Sequence, residues 1–223
     1  MVPRKTTTRA RLITTAAELF RRQGYAETGV NQIIQEANAT SGSFYHFFPA
    51  KEDLLLAVVD HIAEIFDTGV FSPAVESSDD PIDAIFAILD LYRHQINDGG
   101  FSFASPMASL SAEVSGNHPL ARARLAEVFA SWCGRIEELL RKAGNRLPPS
   151  LDRTSLAQLV VCTMEGAVLG TRLNRSLVPF DAAIAQLRTY FDLLGDRVGA
   201  AAVAPAGRPS LATPSQTADW RSW

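Results

Sequence analysis

Histidine is scarce in this chain. There are four in 223 residues, His46, His61, His94 and His118, and no two stand at a metal-ligand spacing. No cysteine stands near enough to a histidine in sequence to complete a zinc set, which excludes the common metal-hydrolase patterns. Only two cysteines occur, Cys133 and Cys162, both in apolar helical stretches. That is too few for a disulfide-stapled secreted scaffold. The basic start, Met1-Val2-Pro3-Arg4-Lys5, is not followed by the apolar core of a leader peptide. The expected location is therefore the reducing cytoplasm. No run of about 18 apolar residues is present, so no membrane partner is expected. A Gly-x-Ser-x-Gly elbow and a phosphate-binding glycine loop are both missing, and paired carboxylates such as Asp79-Asp80 fall in a stretch that reads as linker. Neither an enzyme nor a bound cofactor is indicated. Strand-type alternation is absent as well, and the chain reads as all-α.

Charge is weak overall, with a net of −3. Its distribution is uneven. Arg4, Lys5, Arg9, Arg11, Arg21 and Arg22 face only Glu18 in the first 22 residues. A basic front on an acidic body directs a polyanion to the front; a solvated basic tail has the same composition. Arg9 and Arg11 fit either reading.

Apolar spacing predicts about nine helices. The first carries Leu12, Ile13, Ala16, Leu19 and Phe20 on one face and ends at Gly24. Thr28 is the expected N-cap of a short second helix with Val30, Ile33, Ile34 and Ala37 inward. A third short element runs from Ser41 to Phe48 and is broken by Pro49; a fourth runs from about Lys51 to Asp67. Gly69 to Asp80, rich in Gly, Ser, Pro and Asp, reads as a linker. Asp80-Pro81 then starts a fifth helix, Pro106 to Val114 forms a sixth, His118-Pro119 opens a long seventh, Asp152 caps an eighth and Pro179 begins a ninth ending near Val198. Residues 199–223, rich in Ala, Pro, Ser and Thr, read as a disordered tail.

Thr28 to Lys51 is the informative stretch. Two short helices meet across Asn38-Ala39-Thr40, and the second is too short to stand alone. That is the pattern of a helix-turn-helix. The turn needs a residue tolerant of positive φ; glycine is the default, and Asn38 is acceptable. Thr40 can cap the second helix. Phe44 and Phe48, four apart, face inward, which leaves Ser41, Gly42, Ser43, Tyr45 and His46 outward. Small residues at the start of a helix allow close entry to the major groove, and their hydroxyls can meet base edges and phosphates.

The segment TGVNQIIQEANATSGSFYHFFPAKEDLL closely resembles the TetR/AcrR family of transcriptional regulators. The likeness is strong over residues 8–66. It implies a three-helix DNA-binding domain over residues 1–50 and a helical effector-binding and dimerisation domain over residues 51–198, followed by the tail. It implies that Thr28 is a phosphate-binding cap and that Thr40, Ser41, Gly42 and Ser43 read bases. By the same resemblance, Tyr45 and His46 contact phosphates or neighbouring bases, and Lys51 clamps a phosphate. The chain departs from the family pattern at Asn38, at Ala39, where a larger valine is usual, and at Phe47, which has no hydrogen bond to offer.

The stretches SLSAEVSGNHPLARARL and TMEGAVLGTRL resemble the effector half of a drug-responsive subgroup of that family. The implied partners are a double-stranded DNA operator, a small hydrophobic effector and a second copy of the chain. The eighth and ninth helices would pair with their copies. On the eighth, Gly166, Ala167 and Gly170 form a small-residue patch, with Val161, Leu169 and Leu173 adding apolar area. Effector-lining candidates are Phe66, Phe86, Leu89, Tyr92, Phe103, Met107, Trp132 and Met164, with Asp90, His94 and Glu165 as sources of polarity. Two other functions stay open at this level. One is a thiol or electrophile sensor using Cys133 or Cys162, and the other is a DNA-organising protein without an effector.

Overall fold

The computed structural model describes residues 7–99, 105–114 and 116–203, with side chains through 198. Among the described residues every regular element is helical. Helix α1 (Thr8–Gln23) is capped by Thr7, whose hydroxyl accepts the Ala10 amide at 3.2 Å. It buries the five apolar residues expected and stops at Gly24, where φ is +88°. Helices α2 (Val30–Glu36) and α3 (Ser41–Phe47) follow, and α4 (Lys51–Phe66) packs along α1. The first turn of α4 holds half of a capping box: the Ala50 amide donates to the Asp53 carboxylate at 2.8 Å.

The stretch expected to be a linker is helical. Asp67–Phe71 forms a π-helical turn that runs into the short α5 (Ser72–Glu76). Gly69, Ser72 and Pro73 read as breakers, but Val70, Phe71 and Ala74 are buried and anchor the segment. Pro73 sits in the first turn of α5, where the missing N–H costs nothing.

The body continues with α6 (Pro81–Asp98), α7 (Pro106–Val114), α8 (Pro119–Lys142), a 3₁₀ turn (Gly144–Arg146), α9 (Arg153–Asn174) and α10 (Val178–Val203). Two predicted caps form: the Asp80 carboxylate accepts the amides of Ile82 and Asp83, and that of Asp152 accepts Ser155. Helix α10 runs past the expected end near Val198 to Val203, so residues 199–203 of the expected tail are helical. Residues 204–223, the rest of the expected tail, lie outside the described residues.

Helix α9 is long and apolar enough, by length and composition, to cross a membrane. Its packing gives another account. Leu156, Val160, Val161, Met164, Ala167 and Val168 are buried between α8 and α10. Leu159, Cys162, Gly166, Leu169 and Leu173 form a second arc left exposed. One buried core unites the buried residues of α1–α4 with those of the body, so the platform under α3 is continuous with α4 and α8.

Candidate nucleic-acid interface

The turn between α2 and α3 is built as the spacing implied, with one addition. Asn38 takes positive φ, at +47°. Arg11 reaches across from α1: its Nε donates to the Ala37 carbonyl at 3.1 Å and one terminal nitrogen to the Asn38 carbonyl at 3.2 Å. A cation here satisfies carbonyls at the end of α2 that have no partner within the helix. Arg11, open to two readings from sequence, is therefore a clamp on the turn. Asn38→Gly is expected to leave stability level or slightly raised. Asn38→Val, a β-branched residue forced left-handed, is expected to cost about 1–2 kcal/mol in a urea melt.

Thr40 caps α3. Its hydroxyl accepts the Ser43 amide at 3.1 Å and lies 3.0 Å from the Ser43 hydroxyl. Phe44 and Phe48 are fully buried, with ring centroids 6.0 Å apart. Ser41, Gly42, Tyr45 and His46 are exposed and Ser43 half-exposed, so α3 presents the expected face. Phe47 is also exposed, with its ring against His46.

One expected cap is corrected, and the side chains of Thr28 and Lys51 are both engaged within the chain. Thr28 is not the cap of α2; Gly29 is, with no side-chain bond. The Thr28 side chain is 1% exposed, and its hydroxyl donates to the Gly24 carbonyl at 2.6 Å. It closes the α1–α2 corner, and no hydroxyl is left for a phosphate. Lys51 is half-buried. Its ammonium donates to the Tyr25 carbonyl at 2.6 Å and lies 4.1 Å from the Tyr25 ring centre. Burial pushes its pKa down, against the pull of Glu113 and Glu27. As placed, it ties α4 to the α1–α2 corner.

The predicted effector residues are not brought into one cavity. Phe66, Tyr92 and Trp132 line a cavity of about 330 Å³ with Ala17 of α1 and Ile62 and Ile65 of α4. Phe66 stacks on Trp132 at 4.2 Å and meets Tyr92 edge-on at 5.0 Å. Phe86 lies apart in a polar cleft between α6 and α10, and Met107 in another cavity between α7 and α8. Leu89 and Met164 are packed in the core and line none of these three spaces. Phe103 lies outside the described residues. Asp90 and His94 are exposed. Glu165 is the polar residue that reaches the core: it accepts the Tyr92 hydroxyl at 3.2 Å. Burial raises the pKa of Glu165 and, more strongly, that of Tyr92.

The dimer residues divide as well. Val161 and Ala167, 1% and 6% exposed, belong to the chain's own core, and Gly170 faces Pro179 of α10, where a Cβ would lie 3.0 Å from Pro179 Cβ. Their assignment to a partner face is corrected. A step of one residue, about 100° around the helix, separates them from the exposed arc, which keeps Gly166, Leu169 and Leu173 and gains Leu159 and Cys162. Sequence spacing alone left open which of the two apolar arcs faced inward. Burial also pushes the Cys133 thiol up, which lowers its thiolate fraction, while Cys162 is exposed on the outer arc.

A capped recognition helix on a three-helix platform, carried by an all-helical body, defines a helix-turn-helix regulator. Residues 12–58 match the model for bacterial regulatory proteins of the tetR family, and residues 81–186 that for the C-terminal domain of LmrA/YxaF-like transcriptional regulators. The chain is 32% identical over 187 residues to an uncharacterised HTH-type transcriptional regulator of Mycobacterium tuberculosis, covering 81% of this chain and 92% of that one. It is 33% identical to the HTH-type transcriptional regulator LmrA of Bacillus subtilis, covering 77% and 89%. A TetR transcriptional regulator from Chloroflexus aurantiacus superposes with a TM-score of 0.73 at 30% identity, covering 83% of this chain and 94% of that one. The chain belongs to the TetR family of DNA-binding transcriptional regulators.

Proposed function

We propose that the chain is a homodimeric repressor released from a palindromic operator by a small hydrophobic ligand. It binds and is not a catalyst, and a DNA target puts its work in the cytoplasm. Residues 1–50 are the reading head, and the body runs from residue 51 through α10. Thr40, Ser41, Gly42, Ser43, Tyr45 and His46 face the major groove. The exposed arc of α9, with Val178, Tyr190 and Leu193 of α10, meets the same face of a second copy. Two heads on a two-fold axis then read half-sites about one helical turn apart.

One observation carries the ligand half of this reading. The cavity at Phe66, Tyr92 and Trp132 has α1 of the reading head as one wall and α4, α6 and α8 as others. Its accessible surface is mostly apolar, and Glu18, Arg21, His61 and Gln95 also line it. A ligand there touches head and body at once, so its binding energy can differ between two head positions.

The test is a gel shift on the DNA flanking the chain's own gene, with and without a panel of apolar aromatic compounds. Binding to one or two palindromes, lost on adding a compound, is the expected result. Many weak sites would favour a DNA-organising protein, and release by alkylating agents alone would favour a thiol sensor. Ala17→Trp, which fills the cavity from α1, is expected to weaken operator binding about tenfold without ligand, a typical allosteric coupling. Unchanged affinity with a folded protein would exclude the cavity as the control point.

A further inference from the structure

The α1–α2 corner is held from the body by residues far from the face of α3. Glu113, in the last turn of α7, accepts the Ala26 amide on Oε2 at 2.8 Å. Its carboxylate also fills the space beside Gly24, where a Cβ would lie 2.8 Å from Glu113 Oε1. Gly24 thus serves twice, for positive φ and for this approach. His118, which precedes α8, sets its ring edge-on to Tyr25 at 5.1 Å and its Nδ1 3.3 Å from Glu52 in the first turn of α4. Lys51 binds Tyr25 from the α4 side. The segments that enter α2 and leave α3 are therefore both gripped by the α7–α8 corner of the body.

We propose that Glu113 is a positioning residue for operator binding, fixing the pitch of the reading head on the body through the Ala26 amide. The inference rests on the dimeric operator reading above. Two heads joined through their bodies gain from each other only if both recognition helices meet their grooves together. A head free to pivot about the corner loses that gain. Binding to random DNA, which rests on phosphate contacts without a fixed register, does not depend on it. Glu113 is exposed, so its replacement leaves the core intact.

The experiment compares wild type, Glu113→Ala, Glu113→Gln and Glu113→Asp. It reads amide exchange at Ala26 in the DNA-free protein, and affinity for the operator and for random DNA of equal length. Glu113→Ala is expected to speed exchange at Ala26, weaken operator binding about tenfold and hold random-DNA binding within about twofold, the scale of a modest coupling. Glu113→Gln, whose amide oxygen still accepts the bond, restores both readouts. Glu113→Asp keeps the charge but draws the acceptor back, and behaves as Glu113→Ala. Faster exchange with unchanged operator affinity, or equal loss on both DNAs, overturns the proposal. So does unchanged Ala26 exchange in a folded Glu113→Ala or Glu113→Asp protein. A wild type that binds random DNA as well as the flanking DNA would instead sink the operator reading itself, and Ala26 exchange would still decide whether the clasp exists.

Discussion

Leu169→Glu with Leu173→Glu is expected to give a folded monomer that has lost operator binding. The two leucines are 58% and 74% exposed on α9, and Leu193 of α10, at 56%, extends the apolar surface. Large exposed leucines clustered on two adjoining helices mark a face that a partner covers. A carboxylate on each would be carried into the dry centre of a two-fold interface beside its own copy, where like charges cannot be relieved. Loss of the second head removes the intramolecular half of operator binding, about 10²- to 10⁴-fold in affinity. Sedimentation at several concentrations and operator titration measure the two effects. A double variant that still sediments as a dimer would show that the copies meet elsewhere.

Phe44→Ala is expected to abolish DNA binding by a different route. Phe44 is fully buried and contacts the rings of Tyr45 and Phe48. Deleting a buried phenyl ring costs about 3–5 kcal/mol, since little around it can close the gap. Helix α3 has seven residues and gains its stability from packing, because a helix that short does not hold alone. The reading head should lose structure while the body, which holds the larger part of the shared core, keeps its own. Two transitions in a thermal melt, the first at low temperature, are the expected signature. Phe47→Ala is the control: that ring is 38% exposed, and its loss should change stability by about 0.5 kcal/mol or less. A single unshifted transition for Phe44→Ala would mean that α3 does not depend on this ring.

The reading face was legible because short-range periodicity determines it. Phe44 and Phe48 at a spacing of four force Tyr45 and His46 outward, whatever the rest of the chain does. Thr40 and Asn38 were legible for the same reason: a cap and a positive φ are local demands. The engagement of Thr28 and Lys51 within the chain was not legible, because their partners are backbone atoms. No pattern announces that Lys51 turns to the Tyr25 carbonyl. Glu113 and His118 went unnoticed on the same ground, since an exposed glutamate and a histidine before a proline look ordinary until the α1–α2 corner arrives beside them. In α9 the period was right and the phase was not. Apolar residues on two arcs fit two orientations, and only packing against α8 and α10 selects the one that buries Val161 and exposes Leu159.

The Tyr92–Glu165 pair links the body to proton activity. Burial raises the Glu165 pKa above its value in the unfolded chain, so folding takes up part of a proton in the window just above the ordinary glutamate range. The stability this group contributes is fully present below that range and is lost as pH rises through its raised value. Above that raised value the body holds a charge its interior disfavours, relieved in part by the hydrogen bond from Tyr92. Tyr92 also forms part of the aromatic cavity wall, so the hydroxyl that steadies this carboxylate belongs to a ring that any occupant of the cavity would press upon.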